Sequence, residues 1–583
     1  MPSPGKIDPV LVSVLQRRLK AITEEMGLTL LRTTHSPILN EARDFVTGLY
    51  DHEGRMLEQT EYIPVLAFAV QPVCVRIIDY FGDDIHDGDV FLHNDVFTGG
   101  NQNNDVAVFR PIFFEDEIVA WAACKGHQAD IGGAVQGGYN PEAREVWQEA
   151  LRIPPLKIYD RGKRRVDVWR LVFANIRLNI VAKDIEAQIG GTVVGERGIH
   201  AVLDRYGRDS FEAHKEYLFD ATEKMVVSDI ANIPDGIYQG ESYAFYDGIH
   251  DGSQLKIDLA VKILGESITF DFTGSSPQTE GFVNAPLSAT TSAVLLTFLM
   301  LINPEIPHND GLTRPITIKA PPGCFLNAQF PAATTFGNSL TGPISDAIFK
   351  ALSKAVPQTV TAGWNRMLSF AITGNDPTAG GEKFVDILFI STKGGSGATH
   401  SADGYDHIGL INCAGGILAQ DYEMLEIQTP FLLAKHQYEI DSAGAGEWRG
   451  GLGIETEIVF GGNDMTGIAF GDGIEEEAKA FGLFGGGTGS LNQLTLDNPA
   501  GVTYVPKSKE IVRDISIGTV FRQTAGGGGG YGNPRARDID LVQREVANET
   551  LSIERAQDIY GVVIDPASME IDAGATAELR RNE

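Results

Sequence analysis

Positive charge is scarce in this sequence. The 583 residues include 47 Lys and Arg but 78 Asp and Glu, which gives a formal net charge of −31 at pH 7. A surface of that sign repels the phosphates of nucleic acids and the headgroups of anionic lipids. We therefore expect neither a nucleic acid nor a membrane as a partner of this chain.

Cysteines and long apolar runs are also few. The four cysteines lie far apart and form no CxxC pair, so the sequence predicts neither a zinc finger nor a disulfide framework. The best candidate for a membrane span, residues 293–302, has about half the length that a spanning helix needs. The N-terminus lacks the basic, apolar and small-residue pattern of a signal peptide, and we expect a cytoplasmic protein.

Two motifs of nucleotide binding and hydrolysis are missing. The sequence has no GxxxxGK[ST] loop to cradle phosphates and no GxSxG elbow to present a nucleophilic serine. Glycine itself is abundant, with 66 residues, and a run of them occupies Gly526–Gly530. Because no Lys-Ser or Lys-Thr follows that run, it predicts a flexible or tightly turned connection rather than a phosphate site.

The spacing of apolar residues predicts helices and strands in mixed order. An apolar stripe at helical spacing runs from Leu11 to Leu30 and indicates an amphipathic first helix, which Asp8 would cap. Further helices are predicted at 141–151, 176–197, 210–227, 286–301 and 343–356. Strands are predicted at 90–92, 106–109, 118–124, 254–263, 267–272 and 314–329. Beyond them we expect a loop at 391–420, short strands over 432–522, and short helices near 538–548 and 552–559.

This order of elements predicts an α+β fold with several units of mixed α/β structure. We divide the chain into an N-terminal α/β region (1–230) that carries the candidate site loops, a central α/β region (231–430), a β-rich region (431–535) and a C-terminal helical tail (536–583). No flexible linker separates these regions in the sequence, so we expect them to pack on one another.

The densest group of polar residues lies between His93 and Asp130. Within it, Asp105 and His127 are on loops beside glycines, at the facing ends of what we interpret as adjacent strands. His and Asp together, without Cys, suit a metal such as Mn, Fe or Zn. The alternative is that the Asn and Asp residues only form turns, because their side chains bond well to their own backbone.

A second polar segment, Thr335–Thr341, follows an apolar run. Its composition predicts a turn. A substrate loop is the alternative.

A series of short motifs runs in order along nearly the whole chain. They are EARDF (41–45), DHEGR (51–55), GDVF (88–91), GHQADIGG (126–133), RIPP (152–155), VNAP (283–286), NDG (309–311), GAGEWRGGLG (444–453) and YGVV (560–563). In these motifs the chain resembles the B-type subunits of the hydantoinase B / 5-oxoprolinase family.

The resemblance implies a subunit rather than a free-standing enzyme. In complexes of this type an A-type (HyuA-like) subunit of the sugar-kinase/Hsp70-like kind uses Mg-ATP to phosphorylate the small-molecule substrate, and further small subunits can be present. The B-type subunit then completes the reaction on the activated intermediate. Such complexes open hydantoins, 5-oxoproline and lactams, or carboxylate acetone and acetophenone. The missing phosphate loop is consistent with this division of labour.

The resemblance also implies roles for individual residues. In the acetone carboxylase branch, His and Asp of one loop and His of a second loop hold a metal. Asp105 and His127 match two of these ligands, but Gln102 stands where the loop histidine is expected, and Gln is a weaker ligand than imidazole for Mn or Zn. We therefore expect either a divalent metal, Mn or Zn, or a site that has lost it. The predicted metal ligands are Asp105, His127, Gln102 and Asp44, and the predicted catalytic residues are His127, Asp130 and Asp105.

The motif around His127 also bears on the substrate. Simple hydantoinases usually have His-His-Ala-Asp where this chain has His127-Gln128-Ala129-Asp130, and the form with Gln looks more like that of ketone carboxylases. The resemblance thus favours ATP-dependent carboxylation of a ketone such as acetophenone with bicarbonate. ATP-dependent hydrolysis of a cyclic amide (a hydantoin, 5-oxoproline or a lactam) is the alternative. A non-catalytic scaffold subunit of such a complex is a third hypothesis.

Overall fold

The computed structural model of the chain describes residues 7–581. Its contacts form two compact units, the first made of Met1–Gln239 and Ile257–Ile344, the second of Gly240–Lys256 and Ser345–Glu583. The four regions that we divided from the sequence are finer than these units and stay a prediction.

A seven-stranded sheet forms the centre of the first unit. Its strands are β1 (Phe45–Asp51), β2 (Met56–Glu61), β3 (Val90–His93), β4 (Asp105–Phe114), β5 (Glu117–His127), β6 (Leu156–Asp160) and β7 (Lys163–Arg164). They lie in the order β2-β1-β5-β4-β3-β6-β7. The long strands β4 and β5 are antiparallel, in a register that sets Asp105 opposite His127. The prediction that these two residues end adjacent strands is confirmed.

The first unit also contains helices. They are α1 (Pro9–Thr33), α2 (Pro37–Asn40), α3 (Pro64–Ala67), α4 (Gln71–Phe81), α5 (Val146–Glu149), α6 (Val166–Phe173), α7 (Asn179–Tyr206), α8 (Arg208–Ala231), α9 (Leu287–Leu299) and α10 (Asp310–Thr313). As predicted, the Asp8 side chain caps α1, accepting a hydrogen bond from the Val10 N–H at 2.9 Å. The apolar stripe of α1 is buried in the core beside residues of β1 and β5.

The helix α7 lies very close to β5. Gly195 of α7 has no room for a side chain, because a Cβ there would come within 2.8 Å of the Ala122 Cβ and of the Met26 Sδ. Glycine allows this close approach of backbone to neighbouring side chains. The strand that ends at His127 is therefore covered tightly by α7 and α1.

Two predicted elements of the first unit are wrong. The helix expected at 141–151 is only the single turn α5, because backbone groups there bond to other segments, such as the Val146 N–H to the Pro331 carbonyl at 3.0 Å. The strand expected at 314–329 is only Ile316–Lys319. It ends before Pro321-Pro322, which lack the N–H groups that a sheet needs.

A second sheet contains β8 (Gly236–Phe245), β9 (Gln254–Leu264), β10 (Ser267–Asp271) and β11 (Ile316–Lys319), in the order β11-β10-β9-β8. The predicted hairpin is confirmed, with Leu264 of β9 opposite Ser267 of β10. The chain passes between the two units within β8 and within β9.

The second unit is rich in strands. These are β12 (Leu368–Asp376), β13 (Glu382–Ile387), β14 (Phe431–Tyr438), β15 (Ile454–Phe460), β16 (Asn463–Gly471), β17 (Gln493–Asp497), β18 (Thr503–Tyr504), β19 (Lys509–Ile515) and β20 (Val520–Ala525). They form two sheets, β13-β12-β16-β19 and β14-β15-β20-β17-β18. The helices are α11 (Thr341–Leu352, which begins in the first unit), α12 (Phe389–Thr392), α13 (Tyr422–Gln428), α14 (Ile539–Ala547), α15 (Ile553–Asp558) and α16 (Ala573–Arg581). The α+β class and the β-rich section are confirmed.

Part of the interior of the second unit consists of glycine main chain. The Gly451 N–H bonds to the Ser396 carbonyl at 2.8 Å, and the Gly528 N–H bonds to the Gly451 carbonyl at 2.9 Å. A Cβ on Gly528 or on Gly395 would overlap a backbone carbonyl of a neighbouring segment. The run Gly526–Gly530 is thus a buried, tightly packed connection, so of the two predicted forms it is the tightly turned one and not the flexible one. We call the three segments around Gly395, Gly451 and Gly526–Gly530 the glycine layer.

One stretch, Pro64–Phe81, has the length and composition of a membrane-spanning helix, and half of it is buried within the protein. It covers the two short helices α3 and α4. Core helices of globular proteins meet the same criterion. The cellular compartment stays a prediction.

Candidate active site

Asp105 and His127 form a buried pair where β4 begins and β5 ends. Asp105 Oδ1 lies 2.8 Å from His127 Nδ1. The two residues are only 1% and 4% exposed. A carboxylate that accepts the proton of Nδ1 fixes the tautomer of the ring, so that Nε2 is the nitrogen available for chemistry.

Two amides hold the other oxygen of Asp105. Asp105 Oδ2 accepts hydrogen bonds from Asn101 Nδ2 at 2.7 Å and from Asn338 Nδ2 at 2.9 Å. Asn338 belongs to a short 3-10 helix, Thr335–Leu340, within the segment that we predicted as a turn or a substrate loop. These two amides and the Nδ1–H of His127 all favour the charged form of Asp105, so its carboxylate is held ionised.

Lys125 places a buried cation beside this pair. It precedes His127 on β5, is 1% exposed, and its ammonium donates a hydrogen bond to Asn101 Oδ1. Burial lowers the pKa of Lys125 to about 8, and the charge of Asp105 opposes that shift. A continuous series of contacts therefore runs from Lys125 through Asn101 and Asp105 to His127. We did not predict Lys125 as part of the site, although the sequence shows it as a single Lys directly after the apolar run 118–124.

Burial and pairing act in opposite directions on the two titrating groups. Burial alone raises the pKa of Asp105, but the hydrogen bond and charge of His127 outweigh it, and the pKa lies below its ordinary value. Burial lowers the pKa of His127, but the hydrogen bond and charge of Asp105, with the charge of Asp44, bring it above its ordinary value. His127 is therefore a stronger base than a solvated histidine.

His127 Nε2 is without a hydrogen-bond partner in the described part of the chain. Among residues 7–581, no atom hydrogen-bonds it, while the ring of Tyr139 stacks beside that of His127 with centroids 6.1 Å apart. Nε2 is thus open to a water molecule or a substrate atom. An oriented histidine with one free nitrogen can act as a general base.

Asp44 lies close to the pair, directly before β1. Its carbonyl accepts the His127 N–H at 3.0 Å, and its Oδ1 is buried without a hydrogen-bond partner within the described residues. Burial raises the pKa of Asp44 to about 7, while the charge of His127 opposes that shift. A buried polar atom without a partner requires an explanation, and a bound water or substrate would provide it.

Both ends of the Gln102 side chain are already bonded. Its Nε2 donates to the Thr335 carbonyl at 2.7 Å, and its Oε1 accepts from Asn338 Nδ2 at 3.0 Å. Gln102 therefore connects the loop before β4 to the 3-10 helix that carries Asn338.

The four residues predicted as metal ligands do not converge on one point. Both oxygens of Asp105 and the oxygen of Gln102 accept hydrogen bonds, which leaves the Asp44 carboxylate and His127 Nε2 as the two groups without one among the described residues. Two free ligand groups are fewer than a Mn or Zn site takes from its protein. As arranged, these residues do not fit a metal, and metal binding at them stays a prediction. Within residues 7–581, one group of three potential ligands has its atoms within 4.8 Å, namely His86, Asp89 and Asp160.

That group lies among positive charges. Lys157 Nζ is 3.0 Å from Asp89 Oδ2, and Arg161 Nη2 is 2.7 Å from His86 Nε2. These contacts engage Asp89 Oδ2 and His86 Nε2, whereas His86 Nδ1 and Asp160 Oδ1 are buried without a hydrogen-bond partner among the described residues. We interpret the group as part of an ion-pair network.

The carboxylate of Asp130 is taken up by an ion pair. Asp130 Oδ1 accepts from Arg177 Nη1 at 2.8 Å, and Oδ2 accepts from the Arg177 N–H at 2.8 Å. Arg177 also donates to carbonyls of the loop that follows, at Gly132 and Gly133. The geometry favours a role for Asp130 in holding this loop, and its predicted catalytic role stays untested.

The side chain of Gln128 lies against a helix. Its Nε2 donates to Oε1 of Gln188, on α7, at 3.1 Å. Gln188 in turn bonds the backbone of β4 and β5. Gln128 thus helps to join α7 to the sheet. It is the residue whose presence in the sequence favoured a ketone carboxylase.

Glu149 holds a neighbouring segment of the site in position, and we did not predict this role from the sequence. Its carboxylate accepts hydrogen bonds at 2.8 Å from the N–H groups of both Thr334 and Thr335. The group is fully buried, and burial raises the pKa of Glu149 to about 7 against the effect of those bonds. Glu149 therefore fixes the start of the 3-10 helix that carries Asn338.

The fold and the site define a mixed α/β protein that holds a histidine in place by a buried Asp–amide–Lys network. The chain belongs to the Hydantoinase B/oxoprolinase family, whose model matches residues 8–534. The family suggested by the sequence motifs is confirmed.

Two named relatives align along their full lengths. The beta chain of the caprolactamase of Pseudomonas jessenii is 34% identical over 98% of this chain and 98% of its own length. The B-type chain of the putative D-/L-hydantoinase of Pseudomonas sp. (strain NS671) is 31% identical over 99% of this chain and 98% of its own. Both proteins are named as subunits of enzymes.

Solved structures share the fold. The ATP-dependent caprolactamase from Pseudomonas jessenii superposes with a TM-score of 0.90 at 32% identity, covering 99% of this chain and 100% of that chain. Acetone carboxylase in its nucleotide-free form superposes with a TM-score of 0.88, covering 99% of this chain and 83% of that chain. Its sequence identity is 20%, so that likeness concerns the fold alone.

Proposed function

We propose that this chain is the B-type subunit of an ATP-dependent complex that opens a cyclic amide such as a lactam or a hydantoin. The observation that carries the proposal is the Asp105–His127 pair with its free Nε2. The two relatives above 30% identity, which are named for a lactam and for hydantoins, support this substrate class. We assign the ATP-consuming step to an A-type partner, since this sequence has no phosphate loop.

In the proposed reaction, the partner uses Mg-ATP to phosphorylate the amide oxygen. His127 Nε2 then takes a proton from a water molecule as the water oxygen bonds to the ring carbon. The carbon–nitrogen bond of the ring breaks as the ring nitrogen receives the proton from His127, which leaves an acyl phosphate. A second water molecule hydrolyses this acyl phosphate to the carboxylate and free phosphate. Asp105 stabilises the imidazolium that forms on His127, as in other carboxylate–histidine pairs.

The surrounding residues keep this pair ready. Asn101 and Asn338 hold Asp105 from its other oxygen, and Lys125 offsets its charge. Because these groups are buried and already bonded, they need no reorganisation when charge develops on His127. Asp44, with its unpaired oxygen beside His127, is placed to bind the attacking water or the ring N–H.

Ketone carboxylation, which the sequence motif favoured, is the second candidate. Its support is the fold shared with acetone carboxylase. The argument for ketone carboxylation from the sequence rested on Gln128, and the side chain of Gln128 bonds to Gln188 of α7. That argument therefore no longer favours a ketone. We therefore place the cyclic amide first.

Product analysis tests the two candidates. The purified complex is incubated with Mg-ATP and, separately, with caprolactam, hydantoins, 5-oxoproline, or acetophenone plus labelled bicarbonate. We expect an amino acid from a cyclic amide, without label and dependent on ATP. Label in a β-keto acid, with no opening of any amide, would overturn the proposal. His127→Ala should abolish the product in either case.

A further inference from the structure

Three aromatic rings and one arginine of the first unit form a partly exposed cluster. Trp147 is 54% exposed and Phe330 is 50% exposed, and their rings meet edge to face with centroids 5.2 Å apart. Phe97 meets Phe330 in the same geometry at 5.5 Å, and the Arg152 guanidinium lies over the Phe330 ring at 4.7 Å. We call Phe97, Trp147, Arg152 and Phe330 the aromatic platform.

The platform is held in position by buried groups. Arg152 makes two hydrogen bonds to Asp95, from Nε at 3.1 Å and from Nη2 at 2.9 Å. Asp95 is fully buried and also accepts the Phe97 N–H at 3.2 Å. The guanidinium and the ring below it are therefore ordered before anything binds, which lowers the entropic cost of binding.

Each loop of the platform continues into the candidate active site. Phe97 precedes Asn101, Trp147 precedes Glu149, and Phe330 precedes Thr335. The segments that carry Trp147 and Phe330 are also bonded to each other, through the Val146 N–H and the Pro331 carbonyl at 3.0 Å. The platform is thus the exposed part of the same three segments, one of them the short helix α5, that support the Asp105 network.

The composition of the platform is typical of a protein interface. Trp, Tyr and Arg carry much of the binding energy in such interfaces, and exposed aromatic rings are enriched there. Sites for small molecules, by contrast, are concave and enclose most of the ligand. Two rings that are half exposed fit a protein surface better than a substrate pocket.

We propose that the aromatic platform is the docking surface for the ATP-binding partner chain. The inference rests on the proposed function, in which that partner makes an activated intermediate that must reach His127. Docking on the loops of the site would keep the transfer short and limit the loss of the intermediate to water. Both full-length relatives are named as subunits, which supports a second chain as the occupant.

A second apolar surface offers a matched comparison. On α13 and β14 of the second unit, Tyr422 is 48%, Ile427 74% and Leu432 55% exposed. These residues are apolar and exposed to a similar degree, but none belongs to the loops of the candidate site. They serve as controls for exposure alone.

Photocrosslinking in the intact complex tests the platform. The photoreactive amino acid p-benzoylphenylalanine replaces Trp147 in one preparation and Ile427 in another, and irradiated complexes are analysed by mass spectrometry. We expect crosslinks from position 147 to a chain that binds ATP, identified by its labelling with 8-azido-ATP. Crosslinks from position 147 to a second copy of this chain, or to no chain at all, would overturn the inference.

Truncation provides a second measurement. We expect Trp147→Ala combined with Phe330→Ala to weaken association with the partner by about ten-fold or more, as hot-spot truncations do. Ile427→Ala should leave association unchanged. A larger loss of association in Ile427→Ala than in the double variant would contradict the proposal that the platform is the docking surface. His127→Ala should leave association intact while it abolishes turnover. If His127→Ala is fully active and the crosslink persists, the proposed function fails and the docking surface stands.

Discussion

The same antiparallel register that forms the central sheet sets Asp105 opposite His127, with 2.8 Å between Oδ1 and Nδ1. The pair lies where two long strands meet, so its geometry depends on backbone hydrogen bonds rather than on a mobile loop. A substitution of either residue should therefore change the chemistry of the site more than the fold.

His127→Ala should abolish detectable turnover, since the loss of a general base lowers kcat by roughly 10²- to 10⁴-fold. Circular dichroism and the melting temperature should stay close to those of the wild type. His52→Ala, at an exposed position, serves as the control and should keep full activity. Full activity of His127→Ala would remove this residue from the mechanism.

The acidic limb of the pH–rate profile should lie above the ordinary histidine pKa of 6.5, because Asp105 and Asp44 raise the pKa of His127. Protonation at Nε2 removes the base, so activity is lost as the pH falls through that pKa. Asp44→Asn removes one of the two negative charges and should move the limb to lower pH. A profile of kcat/KM over about pH 5 to 9 measures both effects. A limb that stays in place in Asp44→Asn would argue against this electrostatic coupling.

Lys125→Met should lower kcat by about 10- to 100-fold, the range expected when a buried charged hydrogen bond is lost. The charge of Lys125 helps to keep the pKa of Asp105 low, so its loss weakens the hold of Asp105 on His127. Lys125→Arg keeps the charge and should recover part of the activity. Equal losses in the two variants would point to packing rather than charge.

Glu149 should make the protein less stable as the pH rises toward neutrality. Burial raises the pKa of Glu149 from its ordinary value of 4.5 to about 7, so the folded state holds a proton that the unfolded state releases. The contribution of this group is complete below pH 4.5 and is lost as the pH rises through about 7. The melting temperature of the wild type, relative to that of Glu149→Gln, should therefore decrease between these limits. A constant difference would show that Glu149 does not titrate in this range.

Gln102→His tests whether the site loop can still form a metal site. Imidazole is the stronger ligand for Mn or Zn, and it would replace an amide whose oxygen bonds to Asn338. If Asp105 and His127 can turn toward an ion, elemental analysis of the purified complex should show more metal in this variant than in the wild type. Gln102→Ala is the matched control. Equal metal content in all three proteins would argue against ligation at this position.

The sequence was sufficient to predict much of the fold. The stripe from Leu11 to Leu30 marks α1, and the two strands that end at Asp105 and His127 could be placed because their apolar residues are continuous. The segment 141–151 could not be predicted, because its backbone bonds to distant residues instead of to itself. The preference of a segment for helix gives way when its N–H groups find partners elsewhere in the structure.

The candidate site was predicted in part, for a similar reason. Asp105 and His127 are recognisable from residue type and from the motifs around them. Asn338 and Glu149 join the site from segments far along the chain, and a single sequence does not show which segments will meet. Lys125 and Gln128 are both near His127, yet one faces the network and the other bonds to α7, a difference that sequence spacing alone does not reveal.

The glycine layer has a consequence for how the second unit forms. Gly395, Gly451 and Gly528 come from segments that are distant in sequence, and they meet through main-chain atoms, which offer little apolar surface to hold any two of them together first. Contacts of such long range close slowly and gain stability only when all partners are in place. We expect this part of the chain to assemble in one late, cooperative step, during which newly made protein is most exposed to aggregation and to proteases.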